Sequence, residues 1–129
     1  MKARASFSGS WHGQGTASGS HGFSAQCSLV SSRITQTAKE LVLSSGGWQC
    51  GDLKTQRTPA RIEIRGGSLW LHGKAVGKID SKKISAEIPN GNLRASYAAE
   101  LVDDNTMTYE ERVTDGEHLL VLKGKLKKN

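Results

Sequence analysis

The sequence predicts an all-β protein: a single antiparallel up-and-down meander of about eight to ten short strands, closed into a small barrel. Three observations carry this. Apolar and polar residues alternate at a period of two along most of the chain, the pattern of a strand with one buried face. Turn dipeptides separate the alternating stretches, among them Gly66-Gly67, Asn90-Gly91 and Asp115-Gly116. The composition, with 15 Gly, 2 Pro and only 3 Trp, 2 Tyr and 2 Phe in 129 residues, suits many strands joined by tight turns. The recurring apolar face argues against disorder, and a chain of this length can hold a core without a metal. It reads as one β-barrel domain over residues 1–129.

The opening stretch, FSGSWHGQGTASG, puts Phe7, Gly9, Trp11, Gly13 and Gly15 on one face of a first strand. Phe23, Ala25, Cys27 and Leu29 align in a second. SSRITQTAKEL fits a helical turn, a strand or a loop; a third strand follows around Leu41 to Leu43, and Trp48 and Cys50 then share parity. The second half is more regular. In ARIEIR, Ile62 and Ile64 oppose Arg61, Glu63 and Arg65. After Gly66-Gly67, Leu69 and Leu71 oppose Trp70 and His72, and parity leaves open which pair faces the core. KISAEI aligns Ile84, Ala86 and Ile88. Beyond Asn90-Gly91, Leu93, Ala95, Tyr97, Ala99 and Leu101 share a face. Asp103, Asp104 and Asn105 turn the chain into MTYEERV, which aligns Met107, Tyr109, Glu111 and Val113. The last strand aligns His118, Leu120, Leu122, Gly124 and Leu126. Consecutive hairpins make a meander, and closing it hides the apolar face and removes the edges.

Gly13, Gly15 and Gly19 spell G-x-G-x-x-x-G, one residue too long for the dinucleotide fingerprint, and no helix pattern follows. Neither a P-loop nor a G-x-S-x-G elbow occurs. Alternate glycines instead let a strand bend at a barrel corner, with Trp11 on the same face to fill the floor. GSW followed by glycines resembles the G-x-W signature of lipocalins and the wider calycin barrels. GSWHGQG also resembles the opening of the nitrobindin family. The lipocalin resemblance implies an interior that binds a small apolar molecule. The nitrobindin resemblance implies haem held by a histidine near the C-terminus, where this chain has His118-Leu119. That family's mid-chain His and Glu motif is absent, so no cofactor is expected.

Lys and Arg outnumber Asp and Glu by 18 to 12, a net charge of +6. Most of the basic residues are scattered; Lys123, Lys125, Lys127 and Lys128 cluster, and read as a solvated strand face and tail. A nucleic-acid module would interleave aromatics with them, so no specific nucleic acid is expected. No stretch reaches the roughly 18 apolar residues of a transmembrane helix. Cys27 and Cys50 lack the companions of a zinc site and read as one disulfide. It would close a loop of about 24 residues, stabilising by roughly 3 kcal/mol. MKARASF lacks a hydrophobic signal core and reads as a mature chain behind an added Met. With the disulfide, this points to a secreted or periplasmic protein whose signal peptide has been removed.

His12, His21, His72 and His118 form neither H-x-x-H nor H-E-x-x-H, so no metal site is expected. Glu111 shares a nominally inward face with Met107 and Tyr109. Counting back from Asp115-Gly116 pairs Val113 with His118 and Glu111 with Leu120. A buried carboxylate must be paired or hydrogen-bonded. Two readings stay open: a polar anchor in a ligand cavity beside Tyr97 or Tyr109, or a bulge or mouth position that turns Glu111 outward. No triad, metal set or carboxylate pair is present, so no enzyme is expected. The function expected is a non-catalytic, exported barrel that binds a small apolar or amphipathic ligand at Tyr97, Tyr109, Glu111 and His118, with Trp11, Cys27 and Cys50 structural. Ala95, Ala99 and Gly124 leave room inside. The alternative is a filled barrel that binds a protein or a polyanionic or lipid surface through Trp70 and its basic outer face.

Overall fold

The computed structural model describes residues 7–44, 46–57 and 59–128. Residues 1–6, which carry most of the reading of the chain start, lie outside them, as does the side chain of Leu29. Twelve strand segments follow in order: β1 (Gly9–Gly19), β2 (Ser24–Gln36), β3 (Glu40–Leu43), β4 (Gly46–Cys50), β5 (Leu53–Arg57), β6 (Ala60–Arg65), β7 (Ser68–Leu71), β8 (Lys74–Ile79), β9 (Lys83–Asn90), β10 (Leu93–Asp103), β11 (Thr106–Thr114) and β12 (Leu119–Lys128). A 3-10 turn, Ser20–Gly22, joins β1 to β2. All pairings are antiparallel, and β1 pairs with both β2 and β12, which closes the sheet.

The twelve segments make ten strand lines. Leu43 pairs with Ala60 and Gly46 with Arg57, in one unbroken register. So β3 and β4 are two parts of one line, and β5 and β6 are two parts of the next. The break in the first falls just before Gly46, and Pro59, which has no N–H to give to a ladder, stands in the break of the second. The stretch SSRITQTAKEL is strand and turn rather than helix. Ile34 is buried and pairs with Gly9 on one side and Leu43 on the other, so the ladder satisfies this backbone from both edges.

One end of the barrel is sealed. Phe7, Trp11, Leu101, Met107 and Leu126 are each at most 5% exposed. Trp11 Nε1 donates to the Phe7 carbonyl at 2.9 Å, and the Lys128 ammonium lies 5.1 Å above the Trp11 ring. The glycines of β1 allow the strand contacts above this floor. Gly15 faces Gly124 across the β1–β12 ladder. A Cβ on Gly15 would overlap the Lys123 carbonyl, and one on Gly124 would sit 2.7 Å from Trp48 Cη2. The two strands therefore run close together and leave a slot that the Trp48 ring occupies.

Burial decides the alternative at Trp70. Leu69 is 0% exposed, so Leu69 and Leu71 face inward and Trp70 faces out, under the Arg65 guanidinium at 4.7 Å. His72 (φ 51°) and Gly73 (φ 80°) form the two-residue turn between the paired Leu71 and Lys74, a primed hairpin turn that suits strand twist.

The β11–β12 register corrects the sequence count. Val113 pairs with Leu120 and Glu111 with Leu122, because the connection is the four residues Asp115–His118 and not a two-residue turn. The Asp115 side chain holds this loop, accepting from the backbone N–H groups of Glu117 at 2.8 Å and His118 at 2.7 Å. Those bonds, with the His118 ring 3.2 Å away, bring the Asp115 carboxyl down to about 2. A slip of two residues conserves the face of every side chain, so Glu111 stays inward. His118 does not share that face. It sits in the exposed loop, its ring 5.5 Å from that of His21.

Cys27 and Cys50 sit directly opposite each other on β2 and β4 and form a disulfide (S–S 2.04 Å), both buried. A formed disulfide suggests a non-cytoplasmic environment. Among the described residues no helix is long and apolar enough to cross a membrane.

Candidate functional site

Above the floor the barrel holds a cavity of about 150 Å³. Its wall is almost wholly apolar and includes Phe7, Leu41, Trp48, Ile84, Ala99 and Met107. Small residues make the space. Ala99 lies between Ile84 on β9 and Tyr109 on β11, and Ala86 lies between Gly77 on β8 and Tyr97 on β10.

The wall is notched on one side. The β6–β7 pairing runs no further toward the open end than Glu63↔Trp70, and β8–β9 no further than Gly77↔Ala86. Beyond those rungs β6 and β9 run on past the short β7–β8 hairpin. Ala60 on β6 and Ile88 on β9, the residues that border this notch, both line the cavity.

Polar groups gather at the edge toward the open end. Tyr97 and Glu111 are directly opposed on β10 and β11, on the rung that also carries Ala86, Gly77 and Leu122. Tyr109 precedes Glu111 by two residues on the same face and donates from Oη to Glu111 Oε1 at 2.5 Å. The Tyr109 ring stacks on Trp48 with centroids 6.0 Å apart and planes at 23°. Tyr97 and Tyr109 line the cavity, and all three polar residues are half-buried. The structure therefore brings together three of the four residues that parity put in a ligand site. The fourth, His118, lies in the loop beyond the rim. Sequence reasoning missed Trp48 as a cavity residue; the signal available was its parity with Cys50, whose partner Cys27 shares an inward face with Ala25.

The outer face of β12 carries the lysine row. Lys123 pairs with Glu110 at 3.4 Å, and Arg112 with the same carboxylate at 3.3 Å. Burial pushes the Glu110 carboxyl up, but the bonds from Arg112 and Lys123 outweigh it and hold it below the usual carboxylate range. Among the described residues no group of three His, Cys, Asp or Glu side chains is placed to hold a metal ion.

A closed ten-line antiparallel barrel, floored at one end and hollow above, is a lipocalin-like architecture. The chain is similar to the S-type phycobiliprotein lyase CPES from Guillardia theta, with a TM-score of 0.72 and 8% identity over 95% of this chain and 88% of that one. It is also similar to a redesigned β-barrel (TM-score 0.52, 12% identity, 95% of this chain and 90% of that). EF1p2_mFAP2b bound to DFHBI is a third such structure, at a TM-score of 0.52 and 10% identity over 95% of this chain and 93% of that. At these identities the likeness is one of fold. No protein-family model matches this chain, and no curated protein matches it.

Proposed function

We propose that this chain is a non-catalytic, exported barrel domain that binds a small amphipathic molecule, with the apolar part in the cavity and the polar part at Tyr97, Tyr109 and Glu111. The apolar cavity with one polar edge carries this reading. Size limits the ligand. About 150 Å³ is the volume at which an apolar cavity binds benzene, and lies well below the roughly 300–1,000 Å³ of sites for drug-sized molecules. The buried part is thus a single ring or a short branched alkyl group. The DFHBI bound in one structural neighbour supports room for a small molecule in a barrel of this kind. The lyase supports a shared architecture; its activity is not carried over. The disulfide supports export to an oxidising compartment.

Methyl NMR during a toluene titration tests the cavity. The methyl groups of Ile84, Ile88, Ala99 and Met107 are expected to shift together and saturate, and Ala99→Leu, which fills the space, to suppress the shift. Methyl signals that stay put at saturating toluene, or shifts confined to the outer surface, would sink the reading.

A further inference from the structure

We infer that the outer face of β2, β1 and β12, in the half nearer the floor, docks an acidic polysaccharide through Arg33, Lys125 and Lys127. The inference goes beyond the cavity reading and does not rest on it. It starts from where the acids are. The chain has 12 Asp and Glu residues, and all of them lie from Glu40 to Glu117. The two ends of the sequence hold none. Barrel closure sets those ends side by side, because β1 pairs with β2 on one edge and with β12 on the other. A panel three strands wide therefore carries cations and no carboxylate of its own.

On the outward side of this panel Lys125 stands between Gln14 on β1 and Thr108 on β11, and Lys127 between His12 and Thr106. Arg33, next to the buried Ile34, faces outward on β2 opposite Ser10. All three cations are exposed. Lys123, one step toward the open end, differs, because Glu110 takes it at 3.4 Å. Asp103, in the turn after β10, is within electrostatic reach of Lys125 and borders the panel on that side. Lys125 and Lys127 are about 7 Å apart at strand rise, and Arg33 lies two strand spacings, about 10 Å, across the sheet from β12. The Debye length at physiological salt is about 8 Å, so their potentials overlap and an anionic chain meets them together. Exposed neutral hydrogen-bonding groups surround them: Gln14, Thr16 and Ser18 on β1, and Gln26 and Ser28 on β2. Such a surface suits a hydroxyl-rich chain with repeating anionic groups. Among the described residues this half of the panel turns outward no aromatic ring to stack on a base and no apolar side chain to enter a bilayer, which favours the polysaccharide over single-stranded nucleic acid or a membrane.

Calorimetric titration with heparin across a range of salt concentrations tests this, with two charge-matched double variants. Lys125→Gln/Lys127→Gln removes two cations of the panel. Lys74→Gln/Lys78→Gln removes two exposed cations from β8, four strand lines from β12. Both change exposed side chains only, and surface changes of this kind leave stability nearly untouched. The panel variant is expected to bind heparin on the order of tenfold or more weakly, with a shallower salt dependence, because fewer counterions are exchanged. The β8 variant is expected to stay within about twofold of the wild-type protein, since the far wall makes no contact. Equal losses in the two variants would mean attraction to net charge and would overturn the panel as a docking surface. So would the absence of heparin binding by the wild-type protein at physiological salt. Tighter binding to duplex DNA or to phosphatidylserine vesicles than to heparin, at the same salt, would overturn the polysaccharide.

Discussion

The two ends of the barrel are built on opposite plans. At the floor, Phe7, Trp11, Leu101, Met107 and Leu126 are almost fully removed from water. At the open end, Phe23, Leu93 and Leu119 remain 39–43% exposed. Both ends draw on the same period-two pattern, so patterning alone does not separate them. What separates them is side-chain size on the inner face. Tryptophan and leucine fill the cross-section below, while Ala86 and Ala99 open it in the middle. The floor carries stability, and the middle gives up packing for space.

Substitutions at the floor should break this contrast most visibly. Trp11→Ala is expected to lower stability by about 3–5 kcal/mol, read as a fall in the urea midpoint, whereas Leu93→Ala at the rim should cost less than about 1 kcal/mol. Comparable losses at the two sites would erase the distinction. The paired change Cys27→Ala/Cys50→Ala should cost about 3 kcal/mol, seen as matching melts of the variant and of the reduced wild-type protein. Gly124→Ala sharpens the middle. Its methyl group meets the Trp48 ring, so a loss of about 1–3 kcal/mol is expected, relieved in the double variant with Trp48→Phe. Strict additivity of the two would mean that the slot is not what Gly124 provides.

The smallest effect expected is one of pH, at the turns. The carboxyls of Asp115, Asp80 and Asp103 all lie below their ordinary value of 3.8, because backbone N–H groups in their turns donate to the charged form. A depressed carboxyl stabilises the fold above its unfolded pKa, and that contribution fades as pH falls through the folded one. For Asp115 the window runs from 3.8 down to about 2. Asp115→Asn keeps an acceptor for the turn but cannot titrate, so denaturation curves from pH 5 to 2 should show a shallower loss in the variant. An unchanged slope would place acid sensitivity elsewhere. The group is fully exposed and solvent screens it, so the effect should be modest.

Most of the strands were legible because alternation survives in single stretches such as ARIEIR and LRASYAAEL, where each residue's face follows from its neighbours. Glu111 was legible for the same reason, and an error of two in the β11–β12 register did no harm, since faces repeat every two residues. His118 was not. It has inward parity, but parity has meaning only inside a strand, and Asp115 draws His118 into the loop by accepting from its N–H. The joining of β3 to β4 and of β5 to β6 was also hidden. Each pair is separated by a short break in the chain, and only pairing across the sheet shows that the ladder resumes in the same register beyond it. The cavity itself depends on which small residues face one another across the interior, which no stretch of sequence states.

The strand order has a consequence for how the chain reaches this state. Among the described residues every pairing but one joins strand lines that follow each other in the chain; the exception is the seam, where Trp11 meets Lys128. Local hairpins close small loops at small entropic cost, while the seam must bring the two ends of the molecule together. Zipping of the meander before the seam closes is the expected order. Core-trimming variants along β1 and β12 should then speed unfolding and leave the folding rate nearly untouched, while variants in the β9–β10 and β10–β11 hairpins slow folding. Until the seam closes, β1 and β12 are both bare edges, and it is in that interval that one chain can most easily pair with another.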